Sequence, residues 1–242
     1  MSYGKSTLLK TAQLLSERRS NAENIQRAHH SEVIAKLPEI AANAEQDACT
    51  PENPRETKAA DFDLTLYPAE VSPTYGISPR SRMREIFEYC RCYADDFGKC
   101  SDSLFMHGAT GLGKTHLSLA IANVVVEKGF EVIYGSAQNL LSSLEREKFG
   151  GGSGEREKEL LDCDLLIIDD LGSEFSTQFT VACIYNIINT RINLGKPVII
   201  STNLTGEELE AKYTQRITSR IIGSYVSLLF IGKDIRQLKR FY

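Results

Sequence analysis

Beyond residue 78 the chain alternates between short apolar runs and longer stretches whose apolar residues recur at helical spacing. The apolar runs predict β-strands at 104–107, 131–135, 165–169, 198–201 and 226–231. The stretches around them predict α-helices at 84–93, 114–128, 136–148, 175–193 and 205–222. Strands that are apolar along their whole length are typical of a parallel sheet covered by helices on both faces. The pattern therefore predicts an α/β domain with a five-stranded parallel sheet.

The N-terminal part follows a different pattern. Residues 5–36 have apolar positions at helical spacing and contain no Pro or Gly, which predicts an amphipathic helix that docks a partner or packs on its own core. Residues 38–77 are rich in proline and acidic side chains, as linkers are, although Phe62 and Leu64 are expected to dock on the following domain. We expect a helical extension at 1–37, a linker at 38–77 and the α/β domain at 78–242.

A phosphate-binding motif follows the first predicted strand. The matching residues are Gly108, Ala109, Thr110, Gly111, Leu112, Gly113, Lys114 and Thr115, in the pattern G-x-x-x-x-G-K-[ST]. Glycines let consecutive backbone N–H groups turn toward phosphates, and Lys114 adds a cation for the β and γ phosphates. The Thr115 hydroxyl is suited to hold Mg²⁺, and the positive end of the next helix faces the anion. The motif predicts a nucleoside triphosphate with Mg²⁺.

Two carboxylates end the third predicted strand. Asp169 and Asp170 follow four apolar residues, which places both at the strand tip beside the expected phosphates. We expect Asp169 to hold Mg²⁺ and Asp170 to orient and deprotonate a water that attacks the γ-phosphate. The alternative is that the two acids only cap the turn at Leu171 and Gly172.

An amide ends the fourth predicted strand. Asn203 follows 198–202 and is expected to position the same water. Together with the phosphate loop and the paired acids it resembles the additional-strand branch of P-loop ATPases, and residues 216–220 extend the resemblance to AAA+ proteins. That resemblance implies that Arg220, or otherwise Arg216, reaches the nucleotide of a neighbouring subunit, and that Arg236 acts as a sensor in its own subunit.

Composition restricts the partners. A formal net charge of −4 excludes a broad basic surface for nucleic acid, so DNA contacts must be local. There is no long apolar run and no leader pattern, so we expect a cytoplasmic protein without membrane contact. Cys90, Cys92 and Cys100 have poor spacing for zinc, and the cysteines are expected to be free thiols.

The whole set of motifs is similar to the bacterial DnaC/DnaI-type helicase loaders and to their transposition relative IstB. The resemblance covers about 75–240 and depends on 75–80, the phosphate loop, 168–172, 200–204 and 216–221. It implies a slow, partner- or DNA-stimulated ATPase that forms ATP-dependent homo-oligomers, binds the hexameric replicative helicase and helps load it onto single-stranded DNA. Two departures are that no zinc-bearing N-terminal domain of the DnaI type is evident and that little room remains for a C-terminal helical lid.

Other functions stay open at this point. An IstB-type ATPase that assists a transposase on duplex DNA has the same core. A small-molecule kinase shares the phosphate loop, but Asn203 and Arg220 count against it. GTP is disfavoured because no Asn-Lys-x-Asp motif occurs. Single-strand contacts are expected within 136–148, where Arg146 and Lys148 supply cations.

Overall fold

The computed structural model describes residues 57–99 and 101–238. The predicted extension at 1–37 and most of the linker lie outside this part of the chain. A five-stranded parallel sheet has the order β2-β3-β4-β1-β5. The strands are β1 (Ser103–Gly108), β2 (Val132–Ser136), β3 (Leu165–Asp169), β4 (Val198–Thr202) and β5 (Tyr225–Phe230). The five predicted strands and the parallel α/β sheet are confirmed, and β4 lies between β1 and β3.

The helices within the described residues cover both faces of the sheet. They are α1 (Pro79–Asp96), α2 (Lys114–Glu127), α3 (Ala137–Phe149), α4 (Glu155–Asp162), α5 (Gln178–Leu194), α6 (Gly206–Ser224) and the short α7 (Ile235–Leu238). Helix α1 is longer than predicted because Ser78 caps its N-terminus and Pro79 occupies its first turn. Helix α4 was not predicted, since Leu160 is its only buried residue and the rest of its sequence is mostly charged.

Two apolar clusters lie on opposite faces of the sheet. One contains α1 and α2, and the other contains α3, α4, α5 and α6. Neighbouring strand residues divide between them: Ile167 belongs to the first cluster, whereas Leu166 and Ile168 belong to the second. This alternation explains why the strands are apolar throughout.

Residues 57–77 lie across the start of the α/β domain and contact it directly. The Phe62 ring stacks with Phe87, with 5.7 Å between ring centroids, and the buried Tyr67 hydroxyl donates to the Leu112 carbonyl at 2.8 Å. Arg80 Nε donates to the Tyr67 carbonyl at 2.9 Å, and Asn123 donates to the Thr57 carbonyl at 2.8 Å. The expected docking of the Phe62 segment is observed. We call residues 57–67 the strap.

Helix α6 is interrupted near its middle. Thr214 has φ 73° and ψ 150°, so the helical backbone is interrupted at this residue and continues after it. A positive φ is rare for a β-branched residue and marks local strain. None of the described helices is long and apolar enough to span a membrane.

Candidate nucleotide-binding site

The phosphate loop joins β1 to α2 at the carboxyl edge of the sheet, where α/β folds bind ligands. Gly108 has φ 135°, and a Cβ atom built there would lie 2.2 Å from the Phe230 carbonyl oxygen. Gly111 has φ 72°, and its Cβ would lie 1.8 Å from the Asp234 carboxylate. Any side chain at either position would therefore displace its neighbours, so the loop needs glycine to keep this curvature.

Lys114 is buried at the base of this loop. Its ammonium donates to the carbonyls of Gly108 and Ala109, at 2.7 and 2.8 Å, and to Asn203 Oδ1 at 2.7 Å. The side chain is 6% exposed, and burial lowers its pKa to about 8, an effect opposed by the nearby carboxylates of Asp169 and Asp170. A cation held in this way is directed to the loop interior, where phosphates would lie.

Asp169, the last residue of β3, is surrounded by hydroxyl groups. Its carboxylate accepts from Thr115 Oγ1 at 2.9 Å, from the Tyr134 hydroxyl at 2.8 Å and from the Ser201 hydroxyl. It is 5% exposed. These partners hold the carboxylate beside Thr115 in a fixed orientation.

Asp170 turns out of the strand direction. Its φ is 52°, a left-handed conformation that Asp tolerates better than most residues, and its N–H donates to Ser201 Oγ at 2.9 Å. Its carboxylate accepts from Asn203 Nδ2 at 2.7 Å. Asn203 therefore bridges Lys114 and Asp170, the cation and the second acid.

These groups line a cavity of about 740 Å³. The residues that line it come from the strap, the phosphate loop, the strand ends and the start of α7, and they include Phe62, Tyr67, Thr110, Gly111, Leu112, Gly113, Lys114, Thr115, Asp169, Asp170, Asn203 and Arg236. Its volume lies within the range of small-molecule sites. The loop, both acids, the amide and the predicted sensor thus meet in one cavity.

The other two predicted arginines lie elsewhere. Arg220 and Arg216 approach the Tyr185 ring on α5, with the guanidinium carbons 5.5 and 6.0 Å from its centroid. Neither lines the cavity of its own chain. Arg216 is exposed and Arg220 is partly exposed, so both can be approached from outside the subunit.

Sequence reasoning did not identify several groups at the site. Tyr134 donates to Asp169 from the neighbouring strand β2, and its only signal was a tyrosine in an apolar run, whose buried hydroxyl needs a partner. The role of Ser201, which contacts both acids, also required the strand order. Phe62 and Tyr67 reach the cavity from residues that the sequence pattern assigns to a linker.

The donor set suits Mg²⁺ held together with phosphates. Thr115 and Asp169 supply oxygen ligands 2.9 Å apart, and Mg²⁺ favours few protein ligands with the remainder from water and phosphate. No group of three or more His, Cys, Asp or Glu side chains that would form an all-protein metal site occurs within residues 57–99 and 101–238. When bound, the metal would neutralise charge on the phosphate oxygens.

The sequence of this chain is similar to a family of ATP-binding proteins and to bacterial replication proteins. The sequence model of the IstB-like ATP binding proteins matches residues 88–223. The initiator protein DnaA of Campylobacter jejuni strain RM1221 is 32% identical over 141 residues, or 55% of this chain and 31% of DnaA. The chain thus spans about a third of the length of the DnaA relatives.

Two further relatives are matched over more of their own length. The replicative helicase loader DnaC of Escherichia coli K12 is 24% identical over 187 residues, covering 73% of this chain and 76% of DnaC. An ATP-binding protein in an insertion sequence of Mycobacterium tuberculosis is 26% identical over 144 residues, or 57% of each chain.

Solved structures agree on the fold. The DnaC helicase loader matches with a TM-score of 0.57 and 23% identity, over 71% of this chain and 97% of DnaC. DnaI matches with a TM-score of 0.59 and 20% identity, over 78% of this chain and 95% of that one. DnaA of Aquifex aeolicus with bound AMPPCP matches with a TM-score of 0.59 and 23% identity, over 77% and 56%. With a family match over more than half of its length and the sheet of a P-loop AAA+ protein, the chain belongs to the IstB-like ATP-binding protein family and is homologous to the DnaC helicase loader.

Proposed function

We propose that this protein is a cytoplasmic ATPase that binds the replicative helicase and helps to load it onto single-stranded DNA. The ATPase activity is proposed because one cavity is lined by the glycine-dependent phosphate loop and by Lys114, Asp169, Asp170 and Asn203. The extent of the sequence matches supports the loader role. The match to DnaC covers 73% of this chain, whereas the match to the insertion-sequence protein covers 57%.

Each residue at the site has a distinct proposed role. The backbone of 108–113 and the Lys114 ammonium bind the phosphates of ATP. Thr115 and Asp169 hold Mg²⁺, while Tyr134 and Ser201 fix the Asp169 carboxylate. The strap supplies apolar surface at the cavity wall, where a base would lie.

Asp170 is the proposed general base for hydrolysis. Its carboxylate is oriented by Asn203, which is in turn held by Lys114, so a phosphate that draws Lys114 away would release the amide toward the attacking water. Arg236 lines the same cavity and would sense the phosphates in its own subunit. The products are ADP and phosphate.

The role proposed for Arg220 depends on a second subunit. Because it lies over Tyr185 and does not line its own cavity, it would complete the site of a neighbour in an ATP-dependent homo-oligomer, with Arg216 as the alternative. Single-stranded DNA would contact 136–148. There Arg146 is exposed, and Lys148 Nζ lies 5.0 Å from the Phe179 ring centroid, a pairing of cation and ring that suits unstacked bases.

Size-exclusion chromatography with the host's replicative helicase tests the loader role. With ATP and Mg²⁺, the wild-type chain should co-migrate with the helicase, and Lys114→Ala should lose the nucleotide dependence. Replacing Leu8 and Leu15 with Glu in the full chain tests whether the predicted N-terminal helix does the docking. Failure of the wild-type chain to co-migrate under ATP would exclude the loader function.

An IstB-type function is the second candidate. The family model and the insertion-sequence relative favour it. It predicts cooperative, ATP-dependent assembly on duplex DNA, which electron microscopy with short duplexes would detect. Filaments on duplex together with no helicase binding would decide for this alternative.

A further inference from the structure

A buried carboxylate accepts a hydrogen bond within the loop that follows Asp170. Glu174 is 3% exposed, and its Oε2 accepts from the Gly172 N–H at 2.9 Å. A Cβ atom built on Gly172 would lie 2.6 Å from Leu204 Cδ1, so this loop also packs tightly against the segment after β4. The Ser173 N–H donates to the Asp170 carbonyl at 3.1 Å, so Asp170 belongs to the same loop.

Two consecutive residues of α6, Lys212 and Tyr213, donate hydrogen bonds to the same loop. The Tyr213 hydroxyl donates to Glu174 Oε1, and Lys212 Nζ lies 3.5 Å from that oxygen. Lys212 Nζ also donates to the Glu174 carbonyl at 2.7 Å and to the Gly172 carbonyl. A carboxylate, an ammonium, a phenol and two carbonyls thus join the loop to one turn of α6.

The helix breaks directly after this anchor. Thr214 adopts its left-handed conformation at the residue that follows Tyr213, and the second half of α6 then carries Arg216 and Arg220. A break of this kind separates a helix into two rigid pieces with a defined hinge between them. The first piece is fastened to the Asp170 loop, and the second presents the arginines at Tyr185.

We propose that Glu174, Lys212 and Tyr213 are positioning residues that connect the catalytic loop of one subunit to the arginine which that subunit offers to its neighbour. The connection passes from Asp170 through Glu174 to Tyr213, and across the Thr214 break to Arg220. A shift of Asp170 when nucleotide binds or is hydrolysed moves the first half of α6 and changes the reach of Arg220. This inference rests on the proposed action of Arg220 in trans.

Mixed-subunit kinetics test the connection. One subunit, the donor, carries Asp170→Asn and keeps Arg220; the other, the recipient, carries Arg220→Ala and keeps its own Asp170. Hydrolysis by the mixture then requires a donor arginine in a recipient site. Adding Tyr213→Phe to the donor alone should lower kcat at saturating donor by about tenfold or more, because misplacement of a catalytic group by about 1 Å is costly.

A matched control is Tyr93→Phe in the donor, which should leave the rate unchanged. Tyr93 is a buried tyrosine on α1 whose hydroxyl has no hydrogen-bond partner among the described residues. Glu174→Gln in the donor is the second variant; it keeps the shape of the side chain and removes its charge opposite Lys212. It should lower kcat in the same way, and thermal melting checks that each donor is folded.

The outcomes separate the two levels of the proposal. The parent mixture of Asp170→Asn and Arg220→Ala must hydrolyse ATP faster than either variant alone. If it does not, Arg220 does not act in trans, and the proposed connection is wrong as well. If the parent mixture is active and both donor variants leave it unchanged, while the same changes in the recipient lower it, the cluster only supports its own Asp170 loop. That result would overturn the connection alone.

Discussion

At the scale of single residues, Asn203 links the cation and the second acid of the site at the edge of the sheet. Its amide oxygen accepts from Lys114 and its amide nitrogen donates to Asp170. This orientation of the amide is the one that satisfies both partners, since an ammonium only donates and a carboxylate only accepts. The proposed phosphate-binding cation and the proposed base are therefore linked through one side chain.

Lys114 and Asp170 nevertheless predict separable defects. Lys114→Ala removes the cation from the phosphate loop and should abolish tight ATP binding. Asp170→Asn keeps the shape of the site and should retain binding while hydrolysis falls by about 10² to 10⁴. Titration with a fluorescent ATP analogue and steady-state phosphate release measure the two properties. Equal loss of binding in both variants would contradict the distinct roles.

Tyr134 gives a second residue-scale prediction. Tyr134→Phe removes one of the hydroxyl donors that orient Asp169. It should lower the apparent affinity for Mg²⁺ in hydrolysis by about 10- to 100-fold. The measurement is hydrolysis against Mg²⁺ concentration at saturating ATP. Tyr93→Phe is the control, because it also removes a buried hydroxyl, but one whose ring packs on Phe97 and does not line the cavity. An unchanged Mg²⁺ curve for Tyr134→Phe would show that Thr115 and Ser201 suffice.

At the scale of elements, the break in α6 has a measurable cost. Thr214 holds φ 73° on an exposed position, where a β-branched side chain gains little from packing. Its neighbours Tyr213, Ile217 and Thr218 are buried and keep the two helical pieces in place. The strain is therefore maintained by tertiary contacts on both sides of the break.

Thr214→Gly should stabilise the folded protein. Glycine adopts positive φ freely, so relief of strain should outweigh the extra entropy of the unfolded chain by about 1 kcal/mol. Urea denaturation measures the change. Thr190→Gly in the helical backbone of α5 is the matched control and should lose about 0.4 kcal/mol instead, the difference in helix propensity between threonine and glycine. Similar destabilisation by both substitutions would contradict the strained conformation.

At the scale of the whole molecule, the sheet divides the interior into two cores, and each contains a cysteine. Cys90 lies in the core beneath α1, and Cys163 lies in the core beneath α4. Burial raises the pKa of Cys90 to about 12 and that of Cys163 to about 11. Cys92, on the same helix as Cys90, is exposed.

Alkylation should follow this division. At pH 8, Cys92 should react with iodoacetamide at least about 100-fold faster than Cys90 and Cys163, because the thiolate is the reactive form and raised pKa values suppress it. Cys90 and Cys163 should still be slow at pH 9, since their pKa values lie well above that pH. Peptide mass spectrometry separates the sites, and Cys49 and Cys100, outside the described residues, are read independently. Comparable rates for Cys90 and Cys92 would contradict the packing of α1.

Much of the fold and the centre of the site could be predicted from the sequence. The phosphate loop depends on consecutive residues. The acids directly follow an apolar run, and Asn203 follows another after Ser201 and Thr202, so chain order alone places them at strand ends. Parallel strands then bring those ends to one edge of the sheet. The charged sequence of α4 carried too little apolar pattern to be predicted, and its position depends on contacts with α3 and α5.

Local spacing by itself determined the nucleotide chemistry, because a loop of backbone N–H groups and the acids at a strand tip need only neighbours in sequence. Only the tertiary structure decided which distant side chains complete the site: Tyr134 on Asp169, Phe62 at the cavity wall, and Glu174 on Lys212 and Tyr213. These contacts join residues far apart along the chain. They follow from strand order and from the packing of the strap and α6, which no local pattern encodes.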